Sequence, residues 1–418
     1  MSALSQLADS LVGSEIVKLG NEISRRMKQG EKIYNYTIGD FDPDIFPIPT
    51  LLEEYIIDEY RQKSTNYPPA DGIAELREAV AGFIEEYQHI RYSQSEVLIA
   101  SGGRPLIYAL FKTIVDKDDK VIYAVPSWNN NHYTAMNNGI HCTIDTFPEN
   151  NFMPGIEDIK PHIAGATLLC LCTPQNPTGT TMNKETLAGI CDLVLEENTK
   201  RTGKAKKLYL MFDQMYATLT YNGIEHHTPV SLRPAMKEYT IFIDGISKSF
   251  AATGVRVGWA LGPIHVLSKM RALLSHIGAW APMAEQKAVA RFLPQKEATA
   301  QYFTHFKSEL HLRLNTIYNG FIALKEKGYP VDCIAPQAAI YLTIKIDFVG
   351  KHADGKLLHD QKAVTEYILG KAKLAIVPFY AFGAGDHSPW YRLSVGTAVV
   401  SEIPEMFALL EESLKELL

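Results

Sequence analysis

Residues 99–111, IASGGRPLIYALF, pass from a strand signal to a helix signal within one short stretch. The β-type run Val97, Leu98, Ile99 stops at Ser101-Gly102-Gly103. Pro105 then stands where a helix would begin, which suits its fixed φ and missing N–H. A strand–glycine–helix turn presents free backbone N–H groups to an anion. Arg104, between the glycines and the proline, adds a guanidinium to that turn. Two uses are open for it: helping to hold a cofactor phosphate, or reading a second anion on a substrate.

Outward from this turn, residues 70–262 alternate between the two patterns. AELREAVAGFIEEYQ, PLIYALFKTIV and NKETLAGICDLVLEEN have helical spacing, while EVLIAS, KVIYAV, HCTIDTF, ATLLCLCTP, LYLMFDQ and TIFIDGIS are short β-branched or apolar runs. Apolar strands alternating with helices imply an α/β fold with a mostly parallel sheet covered on both faces. Ligands in such folds bind beyond the carboxyl ends of the strands. From about residue 284 the pattern is long and helical, then AIYLTIKIDF, AIVPFY and YRLSVG precede a closing helix, EIPEMFALLEESLKELL. This reads as a second, smaller α+β unit, and KHADGKLLHDQK reads as a loop. The expected organisation is an N-terminal segment, 1–48, packing with the small domain; a large domain, 49–295; and a small C-terminal domain, 296–418.

The 418 residues are too many for one small core. Hydrophobic residues at 46% and charged residues at 21% are ordinary for a globular enzyme. A formal net charge of −6 argues against nucleic acid or an acidic membrane as the main partner. MSALSQLADSLVGSEIVKLG is too polar for a signal peptide, and no apolar run reaches bilayer length. The five cysteines are an odd number, mostly inside apolar runs, and no His/Cys partner pair accompanies Cys170 and Cys172. Buried thiols, no metal site and a reducing cytoplasm are expected.

The segments that follow the strands carry the chemistry. After LLCLC comes Thr173-Pro174-Gln175-Asn176-Pro177-Thr178-Gly179; after LYLMF come Asp213 and Tyr216; after TIFID comes Gly245-Ile246-Ser247-Lys248, then Arg256. A lysine between serines at a strand end can act as a nucleophilic amine, and carbonyl chemistry with a lysine points to a Schiff base. A carboxylate from the next strand and an anion-binding turn are what pyridoxal phosphate needs, with its protonated ring nitrogen and dianionic tail.

These stretches resemble the fold-type I pyridoxal-phosphate enzymes, specifically the class I/II aminotransferases: NPTG, DQMY, SKSFAATGVRVGW and YRLSVG occur in that family's order and spacing, from about Gly39 to Arg392. The resemblance implies that Lys248 forms the Schiff base and shuttles the substrate proton. It implies that Asp213 pairs with the ring nitrogen, and that Asn176 and Tyr216 bond the ring oxygen. It gives the phosphate to Arg256 and to the N–H groups of Gly102, Gly103 and Arg104. Trp128 would stack on the cofactor, where core packing is the competing reading. Tyr67 would cross a homodimer interface to the partner's phosphate, where packing before a turn is the alternative. Arg392 would grip the substrate α-carboxylate, with Gly39, Trp128 and Asn176 beside it.

One departure is Gly245, where many relatives carry a Ser or Thr hydroxyl for the phosphate; Ser247 is adjacent but points elsewhere. The amide run Asn129, Asn130, Asn131 has no account at this level. The substrates expected are an amino acid and a 2-oxo acid. The GGR turn is also similar to that of a bacterial subgroup of aspartate aminotransferases, in which a lysine after two glycines contacts the distal carboxylate. Arg104 would then favour aspartate or glutamate. An aromatic or broad-range enzyme, with Tyr34, Tyr36, Trp280 and Tyr341 lining a pocket, stays open, as does a C–S lyase on the same fold. The cofactor-sensing half of a transcription regulator would need a DNA-binding domain before GDFDP, and the residues there lack the size and basic charge.

Overall fold

The apolar runs between residues 97 and 261 form one seven-stranded sheet in the computed structural model of the chain, which describes residues 4–10, 13, 15–353 and 355–417. Its strands are β1 (Val97–Ala100), β2 (Lys120–Val125), β3 (Ile140–Asp145), β4 (Ala166–Cys172), β5 (Tyr209–Asp213), β6 (Thr240–Gly245) and β7 (Gly258–Leu261). They lie in the order β1-β7-β6-β5-β4-β2-β3. The pairs β2–β3, β2–β4, β4–β5 and β5–β6 are parallel, and β7 runs antiparallel to both β1 and β6. The sheet is thus mostly parallel, as the alternation of strands and helices requires.

Alternate strand residues enter two separate cores, which is why the runs are apolar throughout rather than every second position. Leu98, Val121, Leu168, Met211 and Ile241 pack with α2 (Gly103–Ile114) and α4 (Ile264–Ile277) on one face. Ile99, Ile122, Leu169, Phe212 and Phe242 pack with α1 (Ala74–Gln88), α3 (Lys184–Lys200) and α5 (Met283–Phe292) on the other. Burying each such side chain contributes about 1.5–3 kcal/mol. Helix α3 starts where Asn183 accepts the Thr186 N–H at 2.7 Å, an N-cap. Helix α2 starts earlier than expected: Gly102 is its flanking residue and Gly103 its first, so Pro105 is the third helical residue. The first-turn N–H groups have no intrahelical acceptor, so the proline still breaks no bond there.

The chain divides into two compact units. The larger comprises Asp40–His311 and Gln337–Ala339; the smaller comprises Met1–Gly39, Leu312–Pro336 and Ile340–Leu418. The division falls after Gly39 and inside α6 (Lys296–Glu326), where the sequence pattern puts breaks at 48/49 and 295/296. A continuous helix gives no compositional signal of a division within it.

The smaller unit holds β8 (Val331–Cys333), β9 (Tyr341–Ile346), β10 (Val377–Pro378) and β11 (Trp390–Ser394), an antiparallel sheet of order β10-β11-β9-β8. Helices α7 (Gln361–Lys371) and α8 (Ile403–Lys415) complete an α+β unit. The stretch KHADGKLLHDQK, read as a loop, contains a short strand pair and a helix start among its described residues. His352–Ala353 pairs antiparallel with Lys356–Leu357, and the Asp360 carboxylate caps α7 by accepting the Ala363 N–H at 2.7 Å. Asp354 of that stretch, and residues 1–3, 11, 12 and 14 of the N-terminal one, lie outside the described residues. No helix among the described residues is long and apolar enough to cross a membrane.

Candidate active site

The carboxyl ends of the central strands converge on one edge of the large sheet, the position where open α/β sheets bind ligands. Asn176 follows β4, Asp213 ends β5 with Tyr216 just after it, Lys248 follows β6, and Trp128 follows β2. Cys172 pairs with Asp213 and Asp213 with Ile243, so the ends of β4, β5 and β6 are adjacent. Because β7 is antiparallel, it starts at this edge and brings Arg256, which precedes it, to the same place.

Arg256 sits over the turn that opens α2. Its guanidinium donates to the Ser101 carbonyl and to the Thr253 carbonyl, each at 2.7 Å. Gly102, at φ +94°, lies directly beneath; a Cβ there would run into Arg256 Nη2. The glycine therefore serves both a left-handed backbone and a close approach. Unbonded N–H groups of the first helical turn, beginning at Gly103, and a cation above them form an anion site.

Asp213 is half-buried, accepts the Met215 N–H at 3.1 Å, and has no cationic partner among the described residues. Burial pushes its carboxyl pKa up to about 6. The bond to Met215 makes a local turn rather than the helix N-cap that such an aspartate often provides. Asn176 and Tyr216 are both buried. Lys248 is half-buried on the short helix Ile246–Ser249, with its ammonium 5.5 Å from the centre of the Phe41 ring.

Arg104 is exposed and turns toward Trp128, its guanidinium 5.2 Å from the indole ring. Tyr133 experiences the charges of both Arg104 and Asp213, so the three share a neighbourhood. Asn129 adopts φ +57° at the start of the helix Asn130–Met136, a left-handed position that asparagine tolerates well. That explains one member of the amide run. Tyr67 is 81% exposed, with its ring edge-on to Trp280 at 5.3 Å.

Arg392 and Gly39 belong to the smaller unit and meet there. Arg392, 1% exposed on β11, donates from Nη2 to the Thr37 carbonyl at 2.6 Å. Tyr341 and Phe382 flank its guanidinium at 4.7 and 5.0 Å. A Cβ on Gly39 would lie 2.7 Å from the Tyr341 hydroxyl and 3.6 Å from Arg392 Nη1.

Several site-edge residues escape sequence reasoning. Behind Asp213, the Gln214 amide donates to Gln88 Oε1 (3.0 Å) and Asp244 Oδ2 (3.3 Å), while its oxygen lies 3.3 Å from His226 Nε2. Asp244 also accepts the Gly245 N–H at 2.7 Å. Burial raises the Asp244 pKa to about 8 and lowers that of His226 to about 3. The polar pair Asp213-Gln214 at one strand end and Asp244 at the next is the signal that could have found this network. Gly245 has its own reason: a Cβ there would meet Gly258 Cα at 2.8 Å and the Val257 carbonyl at 2.9 Å. A serine or threonine does not fit between β6 and β7 at that point. The five cysteines are free, and Cys170, Cys191 and Cys333 are buried.

The sequence pattern of the family described as aminotransferase class I and II matches residues 34–403. A probable aspartate/prephenate aminotransferase of Rickettsia typhi is 28% identical over 407 residues, 96% of each chain. An aspartate aminotransferase of Bacillus subtilis is 28% identical over 365 residues, 87% of each. The solved structure of Thermus thermophilus aspartate aminotransferase with maleate superposes with a TM-score of 0.87 at 26% identity, covering 99% of this chain and 100% of that one.

Members of this family use pyridoxal phosphate, and the residues present fit it. A half-buried carboxyl with no cation beside it among the described residues suits a protonated ring nitrogen, a helix N-terminus under an arginine suits a phosphate, and an amine stands at the neighbouring strand end. By its sequence pattern, its fold and this donor set, the chain belongs to the class I and II aminotransferases, pyridoxal-phosphate-dependent transaminases of fold type I.

Proposed function

We propose that this aminotransferase prefers dicarboxylic amino acids, aspartate or glutamate, and passes their amino group to a 2-oxo acid in ping-pong fashion, as a cytoplasmic homodimer. Pyridoxal phosphate supplies, when bound, an aldehyde that exchanges amino groups and a ring that accepts electrons from the substrate Cα. Lys248 is the amine that anchors it and carries the proton to and from Cα. Asp213 holds the proton on its ring nitrogen; Asn176 and Tyr216 bond its ring oxygen; Trp128 stacks on its face. Gly102, Gly103, Arg104 and Arg256 hold its phosphate through backbone N–H groups and the Arg256 guanidinium. Arg392 binds the substrate α-carboxylate with a planar fork of donors, and Gly39 offers its backbone to the same carboxylate. Tyr67, exposed and edge-on to Trp280, serves the partner's phosphate. Five free cysteines support a reducing compartment.

The observation that carries the substrate preference is the Arg104 guanidinium beside Trp128, 5.2 Å from its ring. The Arg104 backbone N–H serves a phosphate whatever the side chain, so that role does not explain an arginine. A forked cation beside the stacking indole suits a side-chain carboxylate. Relatives named for aspartate support the same reading. The test is kcat/KM for aspartate and for phenylalanine in wild type and Arg104→Met. A selective fall for aspartate of at least tenfold, about 1.4 kcal/mol, is expected. An equal fall for both substrates assigns Arg104 to the phosphate, and no fall assigns it to solvent.

A further inference from the structure

A cleft of about 360 Å³ lies within the larger unit, between the turn Tyr221–Ile224 and one face of α6. Helix α6 contributes Thr304, Lys307, Ser308 and His311, the i, i+3, i+4, i+7 stripe that shares one side of a helix. The opposite wall is a hydrogen-bonded turn. Asn222 and Gly223 have φ of +55° and +76°, and the Ile224 N–H closes the turn onto the Tyr221 carbonyl at 3.0 Å. An Asn-Gly pair is the usual chemistry for such a turn. Tyr221 donates its hydroxyl to the Ala339 carbonyl at 2.7 Å and stacks flat on His311, ring centres 5.1 Å apart.

Lys307 is the unexplained member. It is half-buried and has no hydrogen-bond or ion-pair partner among the described residues. Among the described residues, no aspartate or glutamate lines the cleft. Burial lowers the ammonium pKa, as desolvation without a counter-charge must. An ammonium taken partly out of water with nothing opposite it costs stability, and such costs concentrate at functional sites. Two hydroxyls in the cleft, Ser308 and Thr220, also have no side-chain partner among the described residues, whereas Thr304 already donates to the Ala300 carbonyl at 2.9 Å. The cleft therefore offers one cation and two hydroxyl donors and lacks an anion. Its volume is at the small end for ligand sites and large enough for a phosphate or small carboxylate.

We propose that the cleft between the Tyr221–Ile224 turn and the Thr304–His311 face of α6 binds a small oxyanion, with Lys307 as its counter-ion and Ser308 and Thr220 as donors. The site is separate from the residues assigned to the cofactor and substrate. The oxyanion is the phosphate or carboxylate group of a small metabolite.

The experiment uses the cofactor-loaded protein, so that the cofactor's own phosphate site is filled. Thermal midpoints are measured in inorganic phosphate, in acetate and in sodium chloride of matched ionic strength, for wild type, Lys307→Met and Lys307→Arg. The expected result is a phosphate-dependent rise over chloride in wild type and Lys307→Arg that is mostly lost in Lys307→Met. A matching rise in acetate assigns the site to carboxylates as well as phosphates, and its absence to phosphates. In chloride, Lys307→Met is expected to melt no lower than wild type, because it removes a partly desolvated charge, and to keep transamination within twofold. As a check free of mutation, acetylation of Lys307 in wild type, read by peptide mass, is expected to slow at least threefold in phosphate. Phosphate shifts equal in all three proteins, or acetylation of Lys307 indifferent to phosphate, would overturn the proposal.

Discussion

Gly245 shows how little room separates the strand ends that carry the site. The position it faces is filled by Gly258 Cα and the Val257 carbonyl, so Gly245→Ser must push β6 and β7 apart. Overpacking of this kind costs about 1–3 kcal/mol. The variant is expected to melt lower than wild type and to release its cofactor faster, since Lys248 follows on the same segment; a wild-type midpoint would contradict the packing argument. The glycine is visible in the sequence as a departure from the Ser or Thr of relatives, but its cause is not, because the atoms that exclude a side chain arrive from another strand. Lys248, Asp213 and Arg392 stand out in the sequence as candidates for the opposite reason. A charged residue at the end of, or within, an apolar strand is costly unless partnered, and the motif spacing names the partner. Gln214 and Asp244 carry no such spacing, and their bond to each other depends on β5 and β6 pairing.

At the scale of elements, β5 and β6 end in two carboxyl groups, Asp213 and Asp244, that burial holds protonated beyond the ordinary aspartate range, to about 6 and about 8. Between the unperturbed value of 3.8 and those pH values, the folded chain binds protons that the unfolded chain has released. Unfolding then releases protons, so stability contributed by these groups is greatest below 3.8 and falls as pH rises to about 8. The cofactor-free protein is expected to lose stability across that window, by denaturant titration, with Asp244→Asn flattening the stretch from about 6 to about 8. A wild-type slope retained in Asp244→Asn would place the titration elsewhere. The strands themselves are readable from their apolar runs, and the sheet's parallel character from the helices between them. The start of α2 at Gly103, the hairpin in the KHADGKLLHDQK stretch and the break within α6 are less so, because each is decided by tertiary packing over weak local preference.

For the whole molecule, the homodimer reading predicts that sedimentation gives twice the 46.7 kDa chain mass and that Tyr67→Phe weakens cofactor affinity. A hydrogen bond to a charged phosphate contributes about 1.5–3 kcal/mol, so cofactor release is expected to speed up at least tenfold. Unchanged release would leave Tyr67 as a packing residue against Trp280. Tyr67 lines a cleft of about 940 Å³ with Asn66, Pro68, Lys287 and Arg291. The family resemblance points to Tyr67, but the sequence cannot say what covers it, since a partner's surface leaves no periodicity in the chain that meets it. The central claim is that Lys248 is the amine through which the enzyme holds its cofactor. Sodium borohydride reduction of the cofactor-loaded protein, followed by peptide mass mapping, tests this directly. The cofactor is expected on the peptide containing Lys248, and to be absent from that position in Lys248→Ala. Attachment to any other lysine in the wild type, Lys307 included, or no attachment at all, would contradict it.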